Sequence, residues 1–265
     1  MERELTKTGL RIWTWLVVLF LHLPIVIIIL YAFNAQTAQG WPITDWTTKW
    51  FSPTIHDSEM QQALLLSLKA AAGATIVAIL LGSAAAFAVH RFRFFGRESI
   101  SFLFILPLAL PGIITGMALN SYFTYWGQAF GLWTIVVGHA TFCIVIVFNN
   151  VVARLRRMPT SLTEASMDLG ADGFQTFVHV TLPAISTALI SGALLAFALS
   201  FDEVIVTTFT AGVQNTLPIW IFGNIRLGQQ LPEVNVVVFL ILLATIVPVA
   251  LAQRLTRESG ILRTE

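Results

Sequence analysis

Two adjacent carboxylates, Asp202 and Glu203, stand in an otherwise apolar run, Phe197-Ala-Leu-Ser-Phe-Asp-Glu-Val-Ile-Val-Thr-Thr-Phe. A charge near the centre of a bilayer costs ~2.5–3.5 kcal/mol on insertion scales, so acids placed there turn toward a partner or a wet cavity. Two chemistries fit: attraction of a cationic solute along a water-filled route, or a structural ion pair with Lys69, the one cation that also falls within an apolar run. Neighbouring helical residues point ~100° apart, so only one of the two acids can face a route squarely. Catalysis has less to work with. No nucleophile stands with a base, no Cys/His/Asp/Glu group has metal-ligand spacing, and no Gly-x4-Gly-Lys-Ser/Thr phosphate loop is present. The chain is therefore not expected to be an enzyme or to hold a cofactor; ATP and Mg, if transport uses them, belong on a separate ATPase. His22 and His139 fall in apolar runs, where the ordinary role of an imidazole is a hydrogen bond to a backbone carbonyl. Cys143 has no partner for a disulfide within the chain and reads as a small buried apolar residue.

A second constellation is polar: Glu164-Ala165-Ser166-Met167-Asp168-Leu169-Gly170, then Val180-Thr181-Leu182-Pro183, between two long apolar segments. Gly170 tolerates positive φ and can turn the chain between two short helices. Thr160, Ser161 or Thr163 can cap a helix whose first turn favours an acid such as Glu164. A short helix held rigidly between two membrane spans can be pushed from outside and pass the push to the bundle. The other reading is a surface helix packed on its own bundle.

The elements that carry these residues follow from composition. Of 265 residues, 56% are hydrophobic and only 11% charged, with mean hydropathy +0.79; a soluble domain carries about 25% charged residues. Crossing a ~30 Å hydrocarbon core takes about 20 helical residues, and six runs suffice: 12–33, 62–89, 100–125, 131–153, 184–209 and 233–253. Continuous runs exclude a barrel, whose strands alternate. The expectation is an all-α membrane protein with six transmembrane helices, a single domain over 1–265, and a polar segment at about 154–183. Counting ~1.5 Å per residue puts Asp202 ~27 Å along a fifth span of ~39 Å.

Cations set the orientation. Arg3, Lys7, Arg11, Arg91, Arg93, Arg97, Arg154, Arg156, Arg157, Arg254, Arg257 and Arg263 share one side, against Lys49 and Arg226 on the other. The positive-inside rule then puts both termini and Glu164–Gly170 in the cytoplasm. The first span is too long for an ordinary signal-peptide core and lacks a clear cleavage site, so it is expected to be retained. Net charge is +1, which gives no reason to expect nucleic-acid binding.

Within the bundle, the second span is rich in Ala and Gly, which lets membrane helices approach closely. Pro107 and Pro111 should kink or break the third, as a static bend or a moving gate. Trp41, Trp46, Trp50 and Phe51 in the outer loop 34–61 suit interfacial anchoring or contact with a partner. Pro218 suits the first turn of a short helix within 210–232. The link between spans three and four is short enough to make them antiparallel neighbours.

The polar constellation resembles the cytoplasmic coupling loop of ABC-importer permeases, Glu-Ala-Ala, three residues, Gly, nine residues, Ile, any residue, Leu-Pro. Glu164, Ala165, Gly170, Leu182 and Pro183 match; Ser166 replaces the second Ala and Val180 the Ile. Phe33-Asn34, Leu106-Pro107 through Gly116, Gly138 through Cys143, and Phe197 through Gly212 extend the likeness over nearly the whole chain. They resemble the second permease of spermidine/putrescine ABC importers. That resemblance implies the type I importer permease (MetI-like) fold in a bacterial inner membrane. It also implies a second homologous permease, two ATPase subunits and a periplasmic binding protein that delivers a small cationic amine. Glu164, Ala165, Ser166, Gly170, Leu182 and Pro183 would contact the ATPase, and Asp202 and Glu203 would lend acidity to the solute route. The family branch also includes importers of 4-aminobutyrate and other small amino compounds. An ion-coupled secondary carrier is a more remote reading: it would show paired halves, and a coupling loop has no role in one.

Overall fold

The computed structural model describes residues 2–92, 95–96, 99, 102, 106 and 109–261. Arg93, Arg97, Pro107 and Arg263 of the sequence reading lie outside the described residues. The helices are α1 (Glu2–Ala32), α2 (Phe51–His56), α3 (Ser58–Arg91), α4 (Gly112–Tyr125), α5 (Leu132–Arg157), α6 (Ser161–Asp168), α7 (Gly173–Thr176), α8 (Leu182–Phe201), α9 (Ile205–Thr210), α10 (Leu217–Leu227) and α11 (Leu231–Ile261). A π-helical turn, Phe177–Thr181, joins α7 to α8. Among the described residues, four stretches are long and apolar enough to cross a membrane: Thr6–Ala32, Ser58–Arg91, Leu132–Arg157 and Gly173–Phe201. Of the other two expected spans, the sixth appears as the apolar stretch Leu231–Ile246 within α11. The described helix of the third is α4, which starts directly after Pro111, so that proline breaks the helix.

The chain forms two compact units, residues 62–220 and residues 1–61 with 221–265. In the second of these, Phe33, Phe51 and Phe239 form an aromatic trio with centroids 5.2, 5.4 and 6.0 Å apart. Trp50 Nε1 donates to Asn34 O at 2.9 Å, and Asn34 pairs with Trp46 in an isolated bridge. The expected aromatic group therefore splits: Trp50 and Phe51 hold the loop, while Trp41 and Trp46 are exposed.

In unit 62–220, α3, α5 and α8 share a core of Ala74, Ala78, Val147, Val151, Ile185 and Ala196 with their neighbours. The small residues of α3 work as expected. A Cβ at Gly82 would stand 2.8 Å from the Ile144 carbonyl oxygen, so the two backbones meet there. Spans three and four touch, as the short link between them implies, but α4 packs chiefly on α9, and α9 packs in turn on α5. Phe209 sits where a side chain on Gly116 would be, 2.6 Å from its built Cβ. Asn120 Nδ2 donates to Phe209 O at 2.7 Å.

The fifth span corrects the sequence reading at both ends. It was expected to run unbroken over 184–209. Instead, helix begins at Gly173, in the polar segment, and stops at Phe201, with Asp202 as its C-cap. Three residues then lead into α9. The end of the polar segment, from Gly173, and the span are thus one continuous rod of ~43 Å at 1.5 Å per residue.

Candidate functional site

The rod's two ends are built by different means. At the polar end, α6 stops in a Schellman motif. Gly170 lies at φ +88°, its N–H donates to Met167 O at 2.9 Å, and Ala171 N–H reaches Ser166 O at 3.1 Å. Gly170 thus turns the chain between two short helices, as its sequence position suggested. The capping expectation for α6 does not hold, because Thr160 makes no side-chain cap bond and Thr163 Oγ1 donates instead to Thr160 O at 2.8 Å. Asp172 caps α7 reciprocally with Gln175: Gln175 N donates to Asp172 Oδ1 at 2.8 Å and Asp172 N to Gln175 Oε1 at 3.0 Å.

Pro183 explains the π turn. Lacking an N–H, it leaves the helix one donor short, and the wider turn brings Leu182 N–H back to Phe177 O. Leu182 and Pro183 therefore lie within the helical rod. Arg154 Nε donates to Ala184 O at 2.9 Å, tying α5 to the rod just beyond the proline. Ser166, the departure from Ala, has its hydroxyl 3.2 Å from that of Thr176, linking α6 to α7. Glu164 and Ala165 are exposed. Leu169 and Phe174, 89% and 76% exposed, offer apolar surface beside them.

At the other end, the rod breaks at Asp202-Glu203-Val204. A break within an apolar bundle is tolerated only where the freed backbone groups find partners. Here side chains supply them. Glu203 accepts the Val206 N–H in the first turn of α9 at 2.9 Å. Thr207 Oγ1 donates to Glu203 O at 2.7 Å. His139 of α5, 1% exposed, reaches both arms: Nδ1 lies 2.7 Å from Ser200 Oγ and Nε2 2.8 Å from Thr207 Oγ1. The Thr207 hydroxyl hydrogen is committed to a carbonyl, so Nε2 must donate to it. In the neutral ring Nδ1 then accepts from Ser200. Below this cluster, Thr134 Oγ1 donates to Thr210 O at 2.6 Å.

The two acids consequently differ. Glu203 is half-buried with one oxygen engaged, whereas Asp202 is exposed. Among the described residues, no ion pair joins Lys69 to either acid, and Lys69 is itself exposed. The expected bond to a backbone carbonyl is present at His22, whose Nδ1 lies 2.8 Å from Val18 O, but sequence reasoning missed the His139–Ser200–Thr207 hydroxyl bridge. The available signal was two hydroxyl residues flanking the acid pair and a lone His on a neighbouring apolar run.

Residues 78–257 match the family described as binding-protein-dependent transport system inner membrane component. The putrescine transport system permease protein PotI of Escherichia coli (strain K12) is 38% identical over 84% of this chain and 82% of its own length. The spermidine/putrescine transport system permease protein PotC of the same strain is 32% identical over 90% of both. Among solved structures, a bacterial ABC transporter involved in the import of the acidic polysaccharide alginate has a similar fold, at TM-score 0.71 and 15% identity over 97% of each chain. The MetNI methionine ABC transporter follows at TM-score 0.57 and 18% identity, covering 76% of this chain and 94% of that one. The chain belongs to the binding-protein-dependent transport system inner membrane component family: it is a membrane-embedded ABC-transporter permease with the MetI-like fold.

Proposed function

We propose that this permease forms, with a second homologous permease, the route by which a small amine cation of the putrescine/spermidine class enters a bacterial cell. A periplasmic binding protein delivers the solute, and two ATPase subunits, which hold the ATP and Mg, drive the cycle from the cytoplasm. Both termini face the cytoplasm, as the Arg-rich sides of the spans require. The exposed surface around Glu164, Ala165, Leu169 and Phe174 docks the ATPase, and the rod carries its displacement to the break. Ser166, Gly170, Leu182 and Pro183 shape that coupling element from within.

The observation that carries the reading is the exposed Asp202 at the end of the span opposite the coupling element. An unpaired carboxylate there attracts an ammonium group, and the Phe201 side of the break offers carbonyl oxygens of a helix end, which also favour positive charge. Glu203 has the lesser share, since its carboxylate caps α9. Relatives named for putrescine and spermidine transport support the same solute class.

The test is uptake of labelled putrescine by proteoliposomes holding the complex purified through a tag on this chain. An ATPase and a second permease should copurify, and uptake should need ATP and the binding protein. Uptake by the chain alone, driven by an ion gradient, would make it a secondary carrier. Competition by 4-aminobutyrate as strong as that by putrescine would move the solute to the amino acids.

A further inference from the structure

Three residues, Asp202 to Val204, separate the helical arms α8 and α9, and the last turn of one and the first turn of the other bond to the same buried imidazole. That imidazole is rigid, and its two nitrogens lie on opposite sides of one ring. It therefore fixes the spacing of Ser200 and Thr207 far more tightly than the loop between them could. Its own helix serves as the platform for both arms. On the α8 side, Cys143 Sγ lies 3.3 Å from Ala196 O, and a Cβ at Gly192 would stand 3.3 Å from Val147 Cα. On the α9 side, a Cβ at Gly138, next to His139, would stand 3.2 Å from Val206 and 3.3 Å from Thr210. Each arm is thus packed independently on α5, and His139 sits at the level of the gap.

We infer that His139 is a positioning residue for solute recognition: by bridging Ser200 and Thr207 it sets the angle between α8 and α9 and so aims the Asp202 carboxylate. The inference rests on the reading that Asp202 meets the amine. The relay Ser200 O–H to Nδ1, Nε2–H to Thr207, Thr207 O–H to Glu203 O runs in one direction through the break. Loss of the ring removes the tie between Ser200 and Thr207, although Thr207 keeps its bond to Glu203 O, and leaves the three-residue link to find its own geometry. The acid remains, but its direction is no longer fixed, and a preorganised charge contributes more than a wandering one.

The readout is putrescine moved per ATP hydrolysed by the reconstituted complex. A fold defect lowers uptake and hydrolysis together and leaves that ratio unchanged. His139→Ala should lower the ratio by up to about tenfold, the loss expected when a misdirected Asp202 no longer bonds the ammonium. His139→Gln, which keeps a donor for Thr207, should recover part of it. Because His139 acts through Asp202, the double variant with Asp202→Asn should transfer no less than Asp202→Asn alone. An unchanged ratio in His139→Ala, or two losses that multiply, overturns the inference while leaving Asp202 in the route. A normal ratio in Asp202→Asn alone overturns the reading of the acid itself, and the positioning role with it. If His139→Ala does not assemble, Thr207→Val keeps the shape and removes two bonds, the one from His139 Nε2 and the one to Glu203 O. It should lower the ratio about threefold and show the same non-additivity with Asp202→Asn, and independent effects there reject the proposal.

Discussion

The rod Gly173–Phe201 has the proposed coupling element at one end and an acidic break at the other, and the two are stabilised on different length scales. The coupling element is local: its Schellman turn, reciprocal Asp172–Gln175 cap and proline-induced π turn all join residues within five positions of one another. The break is tertiary, held by His139, which lies 61 residues before Ser200 and 68 before Thr207 in the chain. A local device tolerates changes that respect backbone geometry. A tertiary one depends on a few side chains being present together.

The largest effect should follow from Gly170→Val. Nothing lies within 4 Å of a Cβ built there, so the damage comes from the backbone alone, at φ +88°; a β-branched residue is strained at positive φ by about 1–3 kcal/mol. Uptake and binding-protein-stimulated ATP hydrolysis should both collapse in an assembled complex. Normal uptake would remove the turn from the coupling role.

Asp202→Asn should come next, with putrescine uptake down about tenfold because a charge-assisted hydrogen bond becomes neutral. Measured beside it, Glu203→Gln should cost about threefold or less, since an amide oxygen still accepts the Val206 N–H. A reversed order would show that Glu203 is the acid facing the solute.

Ser166→Ala should be nearly silent. It removes one partly buried hydroxyl pair, worth ~0.5–1.5 kcal/mol. Uptake within about twofold of wild type would agree with this; a tenfold fall would show that the link between α6 and α7 is needed for coupling.

The contrast in length scale also accounts for what could be read from the sequence. The turn at Gly170 was legible because turn preferences are written within a few residues. The spans were legible from apolar length, though not where the fifth begins and ends. Hydropathy counts apolar residues, and neither the helical continuity through Val180-Thr181-Leu182-Pro183 nor the stop at Asp202 changes that count much. The pairing of α4 with α9 depended on Gly116 admitting Phe209, a contact between residues distant in the chain. His139 was visible as an oddity, but its hydroxyl partners emerge only when α5, α8 and α9 are brought together.

The account turns on one end of the rod reading charge while the other couples to ATP. The most direct test is the ratio of putrescine imported to ATP hydrolysed in proteoliposomes, compared among wild type, Asp202→Asn and Asp202→Glu. The account predicts hydrolysis within about twofold of wild type in all three, a ratio about tenfold lower in Asp202→Asn, and recovery of most of it in Asp202→Glu. A wild-type ratio in Asp202→Asn, or hydrolysis lost in step with uptake, would contradict it.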